Sequence, residues 1–149
     1  MAFGIRRWSA ADADWYVAAR DETILRWTSE PAVVTPAEFV DRLEALDGVM
    51  TEGFALVESG APVGNLAAVR RADIAELSYW VAADARGRGA ATSGLHALTS
   101  WVLENWDVTT LELLIHPENE GSIRVAERCG YARGELREVS LDCAGPVSY

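Results

Sequence analysis

Apolar residues along the chain switch between a spacing of two, which is typical of strands, and a spacing of three to four, which is typical of helices. The strand-like segments lie at 3–8, 54–58, 63–69, 74–81 and 111–115, the helical segments lie at 12–20, 36–46, 90–106 and 119–129, and a last β region covers 130–149. This order, βααβββαβαβ, predicts an α/β (α+β) sandwich with helices on both faces of one sheet. No repeat or linker divides the chain, so we predict a single domain over residues 1–149.

Specific residues mark the boundaries of some of these elements. Thr35 is followed by Pro36 and then by Glu38, which predicts a helix start with a capping box. Residues 59–62 read Ser-Gly-Ala-Pro and have the composition of a hairpin turn. The segment 21–34, between the first two helices, has a mixed pattern that we interpret as partly helical.

Composition and charge narrow the set of partners. A formal net charge of -10 and a pI near 4.6 repel phosphate backbones, which argues against nucleic-acid binding and favours cationic partners such as amines. The N-terminal residues lack the pattern of a signal peptide, and no apolar run is long enough to span a bilayer. We therefore expect a cytoplasmic protein without a membrane partner.

The histidines and cysteines do not have the spacing of a metal site. His96 and His116 fall in different predicted elements, and Cys129 and Cys143 lack the paired spacing of a zinc site. Because the expected compartment is reducing, we interpret both cysteines as free thiols. The sequence therefore predicts neither a metal nor a disulfide.

The strongest chemical signal is the loop between the strand at 74–81 and the helix at 90–106. Its residues are Arg86, Gly87, Arg88, Gly89, Ala90 and Ala91. A helix N-terminus offers backbone NH groups without intrahelical acceptors and a partial positive charge, so a glycine loop at this place can hold a diphosphate. The arginine side chains can add charge-assisted hydrogen bonds. Taken alone, the loop leaves a plain turn before a helix as the alternative.

Two common nucleotide sites do not fit this loop. A P-loop needs a lysine, and the chain contains none. The dinucleotide fingerprint needs glycine or alanine where Thr92 stands, together with a second parallel βα unit. We therefore predict neither ATP hydrolysis nor a nicotinamide cofactor.

Three sequence blocks in this order resemble the GNAT superfamily of N-acetyltransferases, and most closely its branch of ribosomal-protein N-terminal (alanine/serine) acetyltransferases. The blocks are residues 76–81, 86–91 and 116–124, the last followed by Gly130 and Tyr131. The resemblance implies a mixed, mostly antiparallel sheet with helices on both faces, in which the central fourth and fifth strands splay apart.

The same resemblance implies where acetyl-CoA would bind. Its pantetheine arm would lie between the splayed strands and pair with the strand backbone near Tyr79, Trp80 and Val81. Its pyrophosphate would lie on the loop at 86–91. Asn119, which is also a competent helix cap, would contact the arm of CoA.

Direct acetyl transfer to an amine needs a proton acceptor and a donor for the leaving thiolate. The resemblance assigns the general base to Glu76, for which a solvated or ion-paired strand carboxylate is the alternative. Many members of the superfamily have a tyrosine donor where this chain has Ala126. Ser122, as in the ribosomal-protein branch, or a water would then hydrogen-bond the thiolate.

The acceptor side is less defined by the sequence. Trp27 lies in the segment that lines the acceptor pocket in this family, and a packing anchor is the alternative for it. Residues 136–149 are short for the final strand pair of the family, so the acceptor site is either unusual or completed by a second subunit in a homodimer.

The sequence thus predicts an enzyme that moves an acetyl group from acetyl-CoA to a primary amine, either a peptide N-terminus or a small-molecule amine. A GNAT-fold module that binds acetyl-CoA as a sensor or interaction partner, without turnover, is the alternative.

Overall fold

The computed structural model describes residues 3–28, 30–31, 33–47 and 49–134 of the chain. The strands are β1 (Phe3–Arg7), β2 (Thr51–Glu58), β3 (Ala61–Arg71), β4 (Ile74–Val81) and β5 (Thr110–Leu113). The helices are α1 (Ala13–Ala19), α2 (Glu22–Trp27), α3 (Pro36–Glu44), α4 (Ala90–Asn105) and α5 (Glu120–Arg128), with 3-10 turns at Ala10–Asp12 and Ala83–Ala85. Within the described ranges, no helix has the length and apolar character that crossing a membrane requires.

The five strands form one sheet in the order β1-β2-β3-β4-β5. The pairs β1–β2, β2–β3 and β3–β4 are antiparallel. The pair β4–β5 is parallel and extends only from Ile74 opposite Thr110 to Leu77 opposite Leu113. The second half of β4 keeps β3 as its partner, up to Val81 opposite Gly64. β4 and β5 therefore separate after Leu77, which confirms the predicted splay.

Helices cover both faces of the sheet, as predicted. On one face, α4 contributes the fully buried Leu95, Leu98 and Val102, which pack with Leu77 of β4 in the main core. This is the apolar stripe that the helical spacing indicates. On the other face, α1 and α3 form a second cluster around Trp80, which also belongs to β4. The two faces of β4 are therefore both buried, and the strand lies in the middle of the molecule.

The start of α3 lies where the sequence predicts it, whereas β2 begins earlier, at Thr51, and the turn predicted at 59–62 is shorter because β3 begins at Ala61. Thr35 caps α3, its side chain accepting a hydrogen bond from Glu38 N at 3.2 Å, while the Glu38 carboxylate accepts one from Thr35 N at 3.0 Å. The hairpin turn consists of Ser59 and Gly60, with φ of 51° and 86°, as a two-residue turn with positive φ requires. The mixed segment contains α2. The last predicted β region begins with four residues without regular structure at 131–134, and 135–149 lie outside the described residues.

Candidate active site

A cavity of about 490 Å³ opens where β4 and β5 diverge. Its wall is built from α2, the end of β4, the loop that follows, the first turn of α4, and α5. The predicted site residues on this wall are Trp27, Tyr79, Trp80, Val81, Arg86, Gly87, Gly89, Ala90, Ala91, Asn119 and Ser122. We call this space the donor cavity, after the ligand that the sequence resemblance predicts for these residues. Tertiary structure thus brings together residues that lie far apart in the chain.

The loop before α4 presents its backbone to the donor cavity. Gly87 and Gly89 have φ of 77° and 84°, a left-handed conformation that a side chain would strain. Gly89 is the N-cap of α4, and its carbonyl accepts the first hydrogen bond of the helix, from Ser93 N at 3.0 Å. The amides of the turn before Ser93 have no carbonyl acceptor inside the helix, so they can bind an anion in the cavity.

The two loop arginines are engaged with carboxylates. Arg86 NH1 and NH2 donate to the two Asp21 carboxylate oxygens, both at 3.0 Å, and its Nε donates to Val81 O at 3.0 Å. Arg88 donates to both oxygens of Glu58 at 2.8 and 2.9 Å and is not on the cavity wall. Phosphate contacts by these two side chains stay a prediction, and the ion pairs hold the loop against α2 and β2.

Sequence reasoning missed two arginines of the donor cavity. Arg124 and Arg128 lie four residues apart on α5 and both contribute to the wall. Their spacing places them on one face of the helix, which is a signal that the sequence contains. With Arg86, they concentrate positive charge around this cavity in a chain whose formal net charge is -10.

Asn119 and Ser122 form a small hydrogen-bonded unit at the start of α5. Ser122 N donates to Asn119 Oδ1 at 3.3 Å, so Asn119 is the cap that the sequence indicates. Asn119 Nδ2 donates to Ser122 Oγ at 3.1 Å. Because the hydroxyl already accepts from the amide, its own proton is oriented away from Asn119. One turn later on α5, Ala126 is fully buried and offers no polar atom.

Tyr79 and Trp80 point to opposite faces of β4, as the alternation predicts. Trp80 is in the cluster with α1 and α3, whereas Tyr79 packs against the main core beside α5. Burial raises the pKa of the Tyr79 phenol, and the nearby Ser122 hydroxyl partly offsets that rise. In the described part of the chain, no group is in hydrogen-bonding geometry with this phenol.

A second cavity, of about 260 Å³, adjoins the donor cavity. We call it the acceptor cavity. Both cavities share the wall residues Trp27, Thr28, Tyr79, Trp80, Asn119 and Ser122. The acceptor cavity adds Glu76, whose Oε1 accepts a hydrogen bond from Arg71 at 2.8 Å. The cavity is named for the role that the sequence resemblance predicts for Glu76 and Trp27, and Glu76 is also an ion-paired strand carboxylate.

Glu30 is a carboxylate of the acceptor cavity that sequence reasoning missed, and its side chain is 10% exposed. It accepts a hydrogen bond from the Tyr16 hydroxyl at 2.8 Å and one from Arg42 at 3.3 Å. Its partners come from α1 and α3, so no local pattern marks the group. The ion pair fixes one end of the cavity and gives it charges of both signs.

Trp27 stands at the junction of the two cavities. It is the last residue of α2, the Arg26 guanidinium lies 4.5 Å from its ring centroid, and the His116 ring lies 5.4 Å away. Packing and cavity lining therefore coincide at this residue.

Among the residues with described positions, no group of three His, Cys, Asp or Glu side chains could hold a metal ion.

Comparisons with known proteins agree with this geometry. A family model described as an acetyltransferase (GNAT) domain matches residues 3–132. No curated protein gives a significant sequence match.

Solved structures share the fold at low sequence identity. AAC(6′)-Ib bound to paromomycin and acetyl-CoA is 19% identical with a TM-score of 0.81, over 100% of this chain and 92% of that one. RimJ of Mycobacterium smegmatis with CoA-disulfide is 19% identical with a TM-score of 0.84, over 97% and 79%. Spermidine N-acetyltransferase of Vibrio cholerae with CoA and spermine is 13% identical with a TM-score of 0.84, over 98% and 92%.

Proposed function

Because the chain belongs to the GNAT acetyltransferase family, we propose that it transfers an acetyl group from acetyl-CoA directly to a primary amine. The observation that carries the proposal is the pair of adjoining cavities, which share a wall where β4 and β5 diverge. A donor in one and an acceptor in the other would meet at that wall without a covalent enzyme intermediate.

The chemistry of the donor cavity supports acetyl-CoA as the donor. The loop amides at the start of α4 suit a diphosphate, and Arg124 and Arg128 add cations that suit further phosphate oxygens. The half of β4 from Ser78 to Val81 does not pair with β5, so its backbone groups on that side are available to the amides of the pantetheine arm.

In the proposed reaction, the amine nitrogen attacks the thioester carbonyl carbon, the new C–N bond forms, and the C–S bond breaks. Glu76, on the acceptor side, takes the proton from the amine directly or through water. CoA leaves as a thiolate, the Ser122 hydroxyl donates a hydrogen bond to its sulfur, and the thiolate then takes a proton from water while Glu76 releases its proton to solvent.

The acceptor is a peptide N-terminus or a small-molecule amine in this proposal. The wall of the acceptor cavity holds two carboxylates, Glu30 and Glu76, against one guanidinium, that of Arg42, and this excess of negative charge favours a cationic ligand. Two of the three related structures named above hold an amine, paromomycin in one and spermine in the other. The homodimer, the cytoplasmic location and the single domain over 1–149 stay predictions.

Titration calorimetry with acetyl-CoA tests the donor, and release of free CoA tests turnover. We expect stoichiometric binding, and we expect CoA release with at least one amine from a panel of kanamycin, spermidine and peptides that begin with Ser or Ala. An absence of heat at millimolar acetyl-CoA would contradict the proposal. Binding without release for every amine would favour the sensor alternative, which the missing tyrosine at Ala126 leaves open.

Ser122→Ala is expected to lower kcat by about 10- to 100-fold, the range for loss of one hydrogen bond to a charged group. The reason is that the developing thiolate would lose its donor in the transition state. Single-turnover kinetics measures the effect. Ser100→Ala, on α4 and outside both cavity walls, is the matched control. Equal rates for the two variants would remove Ser122 from the reaction.

A further inference from the structure

The ion pair between Arg86 and Asp21 joins the loop before α4 to the start of α2. All three guanidinium nitrogens of Arg86 are engaged, two with the Asp21 carboxylate and one with Val81 O. This two-point geometry is the strong form of an arginine-carboxylate contact. Hydrogen bonds from Arg86 lower the pKa of the Asp21 carboxyl. The two residues are 65 positions apart in the chain, so the contact is purely tertiary.

Asp21 also holds α2 together. Its Oδ1 accepts a hydrogen bond from Ile24 N at 3.0 Å, which makes it the N-cap of that helix. With only six residues, α2 is too short to be stable by itself, so its position depends on tertiary contacts. One carboxylate thus serves both the helix and its attachment to the loop.

The inner face of α2 belongs to both cavities. Thr23 and Ile24 contribute to the donor cavity, and Trp27 contributes to the donor and acceptor cavities. A change in the position of α2 would therefore alter both cavities together.

We propose that Asp21 is a positioning residue that couples the two cavities: by holding Arg86, it makes the order of α2 depend on the loop that CoA occupies. The inference rests on the proposed function, because it assumes that CoA binds the backbone amides of this loop while Arg86 stays paired with Asp21. Filling the donor cavity then orders α2, and with it the wall against which the amine binds.

The other loop arginine provides a contrast. Arg88 is paired with Glu58 at the end of β2, which the sheet already holds through its pairing with β1 and β3. This pair anchors the loop to a rigid element. The Arg86 pair instead connects the loop to a short helix, whose amide exchange reports on the coupling.

Hydrogen-deuterium exchange with and without saturating coenzyme A tests the inference. In the wild type, CoA is expected to slow exchange in the first turn of α4 and also in α2, by about fivefold in α2. In Asp21→Asn, which keeps a good N-cap but loses the charge, CoA is expected to slow exchange in α4 only. Glu22→Gln removes an exposed charge from the same helix and is expected to behave as wild type.

Each outcome decides one question. The coupling is overturned if CoA still slows exchange in α2 of Asp21→Asn. It is also overturned if CoA slows exchange in α4 of the wild type but not in its α2. If CoA does not change the exchange rate in α4 of the wild type, the proposed donor site is wrong, and the coupling is wrong with it. Arg86→Gln breaks the pair from the other side and leaves the cap intact, so at a CoA concentration that still slows exchange in α4 it is expected to lose the slowing in α2 as well, even if Asp21→Asn folds poorly.

Discussion

Glu76→Gln is expected to lower kcat by about 100-fold or more, the range for removal of a general base, while the affinity for acetyl-CoA stays unchanged. The amide keeps the size of the side chain but cannot accept a proton from the amine. The donor affinity is spared because Glu76 contributes to the acceptor cavity and not to the donor cavity. Steady-state kinetics together with titration calorimetry separates the two quantities.

The matched control for this variant is Glu112→Gln. Glu112 lies opposite Glu76 on β5, and its carboxylate is 3.8 Å from the same Arg71 guanidinium, but it is outside both cavity walls. Turnover close to wild type is expected there. If both variants retain full turnover at saturating substrates, Glu76 is an ion-paired strand carboxylate and the base is another group.

Gly64→Ala is expected to destabilise the protein by about 3 kcal/mol, a large share of the roughly 5–15 kcal/mol that holds a domain folded. A Cβ at this position would lie 2.5 Å from Trp80 O and 3.3 Å from Val81 Cα. Both are backbone atoms of β4, so a side-chain rotation cannot relieve the contact. Urea unfolding followed by tryptophan fluorescence measures the loss as a lower midpoint.

Gly4→Ala is the control for the glycine variant. Its added Cβ would meet only Val57 Cγ2, at 3.9 Å, which is an ordinary contact in the same sheet. Its midpoint is therefore expected to stay close to that of wild type. If Gly64→Ala unfolds at the same urea concentration as Gly4→Ala, the close approach of β3 to the splayed half of β4 is not a constraint on the fold.

Local patterns in the sequence predicted most of the elements. The apolar stripe of α4, the capping box at Thr35 and the alternation along β4 each depend on neighbours in the chain, and each is confirmed. The splay of β4 from β5 followed from family resemblance instead. Register between strands depends on contacts between distant segments, which spacing alone does not contain.

In the loop at 86–91, the backbone conformation could be predicted from the local sequence, whereas the ion pairs of its arginines could not. Its glycines and its place before a helix are readable because positive φ and free first-turn amides are local properties. Contacts of its arginines with phosphate stay a prediction, whereas their ion pairs with Asp21 and Glu58 were not predicted from the sequence. Both carboxylates belong to other elements, so the ion pairs depend on which segments the fold brings next to the loop.

By itself, the sequence determined the order of the elements, the loop that suits a diphosphate, and the acidic charge that disfavours nucleic acid. Only tertiary structure decided that α2 forms a wall of two cavities, that Arg124 and Arg128 line the donor cavity, and that Glu30 lines the acceptor cavity. The physical reason is how far apart in the chain the contacting residues lie. Helix caps, turns and periodicity arise from contacts within a few residues, whereas a cavity and its charges arise where distant segments pack together.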